Sequence, residues 1–383
     1  MDFNSTQQLA IDTGKEFIQR EIIPIAGDMD ENEQFPLGMF KSMGQTGLLG
    51  IPYPEEYGGA GLDFVAHVGF VKEVAKVCAS TAMTINTHTG LTAYPIYKYG
   101  TPEQKTKYLS RMLTGEKIGA FGLTEPNAGS DAVSMQTRAV EMEDGYLLTG
   151  SKIFITNAKV ADIYLIAAKT DPLKNAMGIS LFLVEKGMEG FTVPSKKEKK
   201  LGMRASDTGE LILHDVKVPK ENLLGRKNFG LKILHDTLSS ARIGMAAIST
   251  GIAEGARDLC LQYVKQRKQF GQHLSQFQTI KNMLADMEIS ISAANLLLQK
   301  AALLKDQGKG FIKEASEAKL FASDMVMKVT RNAIQIFGGY GYSRELPLER
   351  FFRDAKLTEI GDGTSEIQRL IIADELLKTT LKK

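Results

Sequence analysis

The sequence predicts a mainly α-helical protein with a small β domain in its middle. Three observations carry this expectation. Apolar residues recur at helical spacing through roughly the first 117 residues. Between 118 and 225 the pattern changes to short β-rich runs: GYLLTGSKIFITN, ADIYLIAAKT, GISLFLVEK, GFTVPSKKE and GELILHDVKVP, each bounded by Gly, Asn, Asp or Pro. From 229 almost to the end, four long amphipathic segments with short connections have the character of a bundle. The expected domains are an N-terminal helical domain, 1–117, a middle β domain, 118–225, and a C-terminal helical bundle, 226–383.

In chain order, Leu9, Phe17, Ile18 and Ile22 mark the apolar face of the first helix, which Pro24 interrupts. IPYPEEYGGAGLD (51–63) is a Pro/Gly-rich loop. Helices are expected over 64–85 and 102–113, the second opening at Thr101 with Pro102 in its first position. The β runs fit an antiparallel sheet, sandwich or barrel and end near Pro219 to Gly225. The bundle segments are expected over 229–266, 275–305, 311–338 and 364–378, with breaks at Gly308 to Gly310 and at GGYGYSRELP (338–347). Lys196, Lys197, Lys199 and Lys200 read as a solvated loop.

A chain of 383 residues, 43% hydrophobic, can bury a sizeable core, and its net charge of +2 gives no electrostatic reason to expect a nucleic-acid partner. The only cysteines, Cys78 and Cys260, lie far apart and outside any CxxC pair. No disulfide framework or metal site is suggested, and a reducing compartment fits. Sixteen methionines and no tryptophan read as packing chemistry. The sequence opens without a signal-peptide pattern and has no apolar stretch long enough for a membrane span, so a soluble, cytoplasmic protein is expected.

The chemistry-bearing stretch is RDAKLTEIGDGTSEIQRLII (353–372), read as a short loop feeding a helix. Gly361 and Gly363 flank Asp362. Thr364 and Ser365 can cap the next helix, Ser365 and Gln368 have the spacing of a capping box, and Ile367, Leu370 and Ile371 supply an apolar stripe. An acid held here is a candidate general base; by itself the stretch is equally an ordinary Gly-Asp-Gly turn. GAFGLTEPNAGSD (119–131) offers small residues and the hydroxyls of Thr124 and Ser130 to a planar cofactor. It matches neither a Walker A loop nor GxGxxG, which disfavours a Rossmann domain. KIFITNA (152–158) is a strand ending in polar residues, with Phe154 set against an aromatic cofactor or simply in the core. In RKQFGQHLSQFQ (267–278) Arg267 suits a pyrophosphate and Phe270 a base, or the whole is a junction with solvated charges. QIFGGYGY (335–342) again allows close backbone approach.

Together, in this order, GLTEPNAGSD, KIFITN, RKQFGQ, QIFGGYGY and DGTSEIQ resemble the flavin-dependent acyl-CoA dehydrogenases over essentially the whole chain. The resemblance implies an acyl-CoA dehydrogenase-like fold: an N-terminal helical domain, a β-barrel or sandwich middle domain and a C-terminal four-helix bundle. It also implies non-covalent FAD, an acyl-CoA substrate, an electron-transfer flavoprotein as acceptor, and a homotetramer built as a dimer of dimers. Carried over by position, it implies that Phe121, Leu123, Thr124, Phe154 and Thr156 line the flavin. Arg267, Phe270 and Gln278 are implied to bind the adenine-dinucleotide part of a neighbouring subunit's cofactor. Gln335, Gly338, Gly339, Thr364 and Glu366 complete that site. Ser130 and Arg242 resemble residues that hold the coenzyme A portion, and Gly363 joins the substrate-binding set. The Asp362 amide is implied to bind the thioester carbonyl, and its carboxylate to be the base. The physical logic fits: donors on the carbonyl oxygen stabilise the developing enolate, and desolvation makes the carboxylate a stronger base.

The sequence departs from the familiar family pattern where it matters most. That pattern is Tyr-Glu-Gly-Thr; here it is Gly361-Asp362-Gly363-Thr364. The acid is one methylene shorter and the preceding aromatic is missing. The alternative position for a glutamate, immediately before the arginine corresponding to Arg242, holds Ala241. TINTHTGLTAYP (84–95) has no carboxylate, and His88 reads as structural or pocket-lining. The expected reaction is α,β-dehydrogenation of an acyl-CoA to the 2-enoyl-CoA. The shorter acid and the space at Gly361 favour an alicyclic acyl group, such as cyclohexane-1-carboxyl-CoA or a cyclohexenecarboxyl-CoA. The alternatives are a short-chain linear, butyryl-CoA-like dehydrogenase, a flavin oxidase of the acyl-CoA or nitroalkane type, and a non-catalytic flavin-binding assembly protein.

Overall fold

The computed structural model describes residues 3–380, and it has the helical, β, helical order that the sequence predicts. The first helix, Ser5–Phe17, opens on Asn4, whose side chain accepts from the Gln7 amide while Gln7 returns the bond. It buries Ile11, Gly14 and Phe17; Leu9, expected on that face, is exposed. The helix widens into a π turn at Ile18–Ile22 and tightens at Ile23–Ile25, around Pro24. The expected 64–85 helix is two helices. Phe64–Ala75 is capped by Asp63, and Ala79–Ile85 continues through a buried π-helical stretch, Asn86–Ala93, into Tyr94–Tyr99. Thr101 opens the next helix through a capping box with Gln104, and Pro102 is its first residue.

Eight strands form the middle sheet: β1 (Gly119–Gly122), β2 (Arg138–Met142), β3 (Gly145–Thr156), β4 (Ile163–Lys169), β5 (Ile179–Glu185), β6 (Phe191–Thr192), β7 (Thr208–Pro219) and β8 (Leu223–Leu224). The order is β6-β7-β3-β2-β4-β5-β8, with β1 added on β4. The pairing is antiparallel except around β4, where β1 and, at one residue pair, β2 lie parallel. Of the lysine run, Lys196, Lys197 and Lys199 are exposed as expected. Exposed Lys197 also reaches the Glu33 carbonyl at 3.0 Å, whereas half-buried Lys200 reaches Thr208 Oγ1 at 2.9 Å and is a structural tie.

The helix Gly230–Gln266 is the spine of the molecule, buried almost continuously from Ser239 to Ala256. Gln278–Asp306, Ile312–Phe337 and Ser365–Thr380 complete the bundle. Another helix, Leu348–Thr358, lies partly within the stretch read from sequence as a loop. It joins all three parts of the chain. Arg353 pairs with Asp30 at 2.7 Å and Glu349 at 2.6 Å, and Asp354 accepts from the Met203 amide. No helix among the described residues is long and apolar enough to cross a membrane.

The N-terminal helices approach the spine closely. A Cβ at Gly251 or Gly255 would stand 2.3 Å from the Lys72 or Lys76 carbonyl oxygen. Between them, Glu254 is buried and accepts from Lys72 at 2.9 Å, Lys76 at 2.8 Å and Asn295 at 2.8 Å. Burial alone would raise its carboxyl; the two lysines hold it instead at about 2. Glu254→Gln leaves Lys72 buried without its counter-charge and should cost about 3 kcal/mol, read as a lower Tm at neutral pH. The unfolded acid titrates near ~4.3, above its folded value. This stabilisation is therefore complete above that pH and is lost as pH falls towards 2. The Tm gap between wild type and variant should close over the same window.

Candidate active site

The Gly361–Gly363 loop begins where the helix Leu348–Thr358 ends. The Gly361 amide donates to the Leu357 carbonyl at 2.8 Å. Asp362 then takes the left-handed backbone region, φ 54°, and Gly363 follows at 99°. Asp is among the few side-chain-bearing residues that tolerate this region. The next helix starts at Ser365, and Thr364 Oγ1 accepts from the Ile367 amide at 3.4 Å. Thr364 is therefore the cap, and the expected Ser365–Gln368 box does not form. The Gln368 side chain turns back instead, its Nε2 donating to the Gly363 carbonyl at 2.9 Å and lying 3.4 Å from that of Asp362.

Side chains from separate helices hold the loop carbonyls. Arg242 Nε, from the spine, lies 3.4 Å from Asp362 O. Lys319 Nζ, from Ile312–Phe337, lies 2.7 Å from Gly363 O. The carboxylate is not held: its Oδ2 is buried without a partner, although the residue as a whole is only half-buried. Burial pushes the Asp362 acid up, and the cations Lys319 and Arg242 restrain the rise. Burial also pulls the Lys319 amine down to about 8 and the Arg242 guanidinium to about 10. An acid raised by burial, with one oxygen free, is suited to accept a proton. Glu366 is exposed in the first turn of the following helix. A Cβ at Gly361 would stand 3.1 Å from Met245 Cε, so the room left by the missing aromatic is bordered by a flexible methionine end.

A second group lies at the junction of β1 and β3. Phe121 and Leu123 are buried and Thr124 half-buried. The Thr124 carbonyl accepts from the Ile153 amide at 2.9 Å, which brings this loop to the KIFITNA strand. The β3–β7 register shifts between Lys152 and Ile155, and at this bulge Phe154 takes φ 56° and turns outward, 64% exposed. It is therefore not a core side chain; it presents a ring at the strand end beside half-buried Thr156. Beneath them the buried pair Lys152–Glu125, 2.7 Å apart, fixes the loop: Lys152 also donates to Leu123 O, and Glu125 accepts from the Gln136 and Thr137 amides. Ser130 is exposed further along.

The third group surrounds a groove of about 570 Å³ whose wall includes Arg267, Gln335, Gly338, Gly339 and Tyr340. Two motifs far apart in sequence thus meet. Nothing lies within 4 Å of a Cβ built at Gly338 or Gly339, so their backbone faces open space. An Arg fork beside open backbone suits a pyrophosphate, and the outward Phe154 ring suits a flavin face, so the residues present fit FAD. Phe270, at a hairpin tip and 93% exposed, and exposed Gln278 are not part of that wall. His88 is structural: buried, lowered to about 4 by burial, its ring nitrogens bridge the Gly119 amide and the Met112 carbonyl.

Sequence reasoning missed Lys319, Met245 and the Lys152–Glu125 pair. The available signal for Lys319 was a lysine in the small-residue run EASEAKLFASD, where Ala315, Ser316, Ala322 and Ser323 are all buried.

The helical–β–helical frame, the acid-bearing loop and the groove beside Arg267 together suit a flavin-dependent oxidoreductase. The acyl-CoA dehydrogenase N-terminal, middle and C-terminal domain families match residues 4–116, 120–216 and 228–377. A short-chain specific acyl-CoA dehydrogenase of Clostridium acetobutylicum is 49% identical over 99% of this chain and 100% of its own length. Among solved structures, butyryl-CoA dehydrogenase from Megasphaera elsdenii superposes with a TM-score of 0.96 at 45% identity, covering 98% of this chain and 100% of that one. A chain in a structure of the electron transferring flavoprotein of Acidaminococcus fermentans, concerned with flavin-based electron bifurcation, gives 0.96 at 47% identity, covering 98% and 100%. The chain belongs to the acyl-CoA dehydrogenase family. It is an oxidoreductase acting on CH–CH bonds of acyl-CoA, with FAD as cofactor.

Gly363→Ala should place a Cβ 2.7 Å from Gln368 Nε2 in a left-handed conformation. A loss of about 1–3 kcal/mol is expected, measured by calorimetry of the FAD-loaded protein.

Proposed function

We propose that Asp362 removes the α-proton of an acyl-CoA thioester and that the acyl group is alicyclic, of the cyclohexane-1-carboxyl-CoA or cyclohexenecarboxyl-CoA type. The observation that carries the first part is the buried, unpartnered Oδ2 on a loop whose carbonyls are held. The Asp362 amide and Gly363 lie against the thioester, and Arg242 and Ser130 hold the coenzyme A portion. FAD, when bound, supplies the hydride-accepting chemistry at the β-carbon. Phe121, Leu123, Thr124, Phe154 and Thr156 would line its ring, while Arg267 with Gln335, Gly338 and Gly339 would hold the dinucleotide part of a neighbouring copy's cofactor. Phe270, Gln278, Thr364 and Glu366 would complete that same site. Boundaries near 117 and 225 divide the domains. An electron-transfer flavoprotein is the acceptor, a reading supported by the likeness to the Acidaminococcus fermentans chain. A homotetramer is supported by exposed Ile289, Leu296 and Leu303, seven residues apart along one helix.

The alicyclic reading rests on reach. Losing a methylene withdraws the carboxylate by roughly 1.5 Å, and a misplacement of about 1 Å can cost about a hundredfold in rate. A ring joining the α- and β-carbons presents its α-carbon nearer the base. A short linear acyl group is the second reading, favoured by the short-chain and butyryl-CoA relatives and by Met245 at the edge of the space beside Gly361.

Anaerobic bleaching of the flavin by a panel of linear, branched and cyclic thioesters separates the two. Cyclohexane-1-carboxyl-CoA or a cyclohexenecarboxyl-CoA should reduce it fastest; preference for butyryl-CoA would select the second reading. Asp362→Asn should slow reduction at least about a thousandfold with thioester binding retained. Asp362→Glu should lose activity on rings and gain it on linear chains. Reduction of Asp362→Asn at the wild-type rate would move the base elsewhere. Arg267→Ala should release FAD on gel filtration; full occupancy would remove Arg267 from the pyrophosphate site.

A further inference from the structure

Lys319 is wholly buried on the helix Ile312–Phe337, among Ala315, Ser316, Ala322 and Ser323. A methionine would fill much the same volume without the several kcal/mol that desolvating an ammonium costs. The charge at this place therefore has to answer to something else. Its Nζ donates to the Gly363 carbonyl at 2.7 Å, beside the Gln368 bond to the same oxygen. The charged groups that act on Lys319 are Asp362 first, then Arg242, Asp324 and Glu359, and Lys319 acts in turn on Glu366. Asp324 is engaged by Arg369 at 3.1 Å and Glu359 by Lys356 at 2.5 Å. Asp362, whose Oδ2 has no partner, is left as the acid that Lys319 serves, and the cations acting on Asp362 are Lys319 and Arg242.

We propose that Lys319 is a positioning residue for the dehydrogenation: it pins the Gly363 carbonyl from beneath the loop and places a buried cation beside Asp362 that keeps the acid ionised and ready for the α-proton. This rests on the reading of Asp362 as the base. The two roles separate chemically, because a hydrogen-bond donor alone can pin a carbonyl but only a charge can favour the carboxylate. Burial raises the acid and the cation opposes that rise, so removing the charge lets the Asp362 pKa climb. Activity requires the ionised form and is lost as pH falls through that pKa. The acid limb of the rate must then move to higher pH.

The test compares FAD-loaded wild type with Lys319→Gln, Lys319→Met and Lys319→Arg. The reaction is anaerobic flavin reduction by the thioester that bleaches wild type fastest, followed from about pH 6 to 9. Lys319→Gln keeps a donor without the charge. Its acid limb should rise by about one pH unit, slowing reduction about tenfold below the limb with the plateau nearly retained. Lys319→Met loses both, and its plateau should also fall about tenfold to a hundredfold. Lys319→Arg should keep the wild-type limb. Limbs at the wild-type position in the Gln and Met variants, with FAD content intact, overturn the proposal and leave Lys319 a packing residue. Should the uncharged variants fail to hold FAD, the Arg variant decides, since a displaced limb there overturns the charge role. If no thioester bleaches wild type, or Asp362→Asn reacts at the wild-type rate, it is the base assignment that fails instead.

Discussion

The close crossing of the N-terminal helices over the spine helix is the constraint on which the rest depends. Gly251 and Gly255 let the carbonyls of Lys72 and Lys76 come within reach of the spine backbone, and the Glu254 cluster neutralises the charges trapped there. The spine is then gripped through its buried middle. Two turns earlier it offers Arg242 and Met245 to the Gly361–Gly363 loop. On its other side Asn86 reaches the Ala241 carbonyl at 3.3 Å. A shift of the spine would move all of these together, because packed interiors transmit displacement rather than absorb it.

Glu254, Glu125 and Asp362 differ in how completely their carboxylates are satisfied. Glu254 and Glu125 meet cations and amide donors, and both sit below the usual carboxylate range despite burial. Asp362 also feels two cations, yet one of its oxygens finds no donor, and its acid is raised. A satisfied acid rigidifies; an unsatisfied one keeps an appetite for a proton. The loop's polar contacts are spent on its main chain, so the backbone is fixed while the carboxyl group stays chemically available.

Local chemistry made much of the fold legible. Thr101-Pro102 and the long apolar periodicities found their helices because caps and helical stripes act within a few residues. The helix Leu348–Thr358 is short and bracketed by Gly-rich stretches, yet Leu348, Phe351, Phe352 and Ala355 fall at helical spacing, a signal the sequence did carry. Thr364 and Ser365 both suit the cap by sequence; Thr364 takes it, and the Ser365–Gln368 box does not form because Gln368 is drawn away by carbonyls that only the folded loop presents. The site was legible as motifs, and the groove does bring Arg267 to Gln335, Gly338 and Gly339. Lys319 lies 44 residues from its carbonyl partner, and no periodicity reports a contact of that kind.

The π-helical stretch Asn86–Ala93 sets a different kind of constraint. Each residue of an α-helix turns the chain by about 100°, and the wider π turn accommodates a residue that an α-helix would have to place elsewhere. Removing one residue between Asn86 and Ala93 would let the segment close to ordinary α geometry while Tyr94–Tyr99 keeps its facing towards the spine, so the change would fall on the π stretch itself. Every residue of the stretch is buried, His88 among them, so substitution and deletion alike disturb the interior that it fills. Lineages of this chain should therefore hold the buried polar side chains of this stretch as closely as its length.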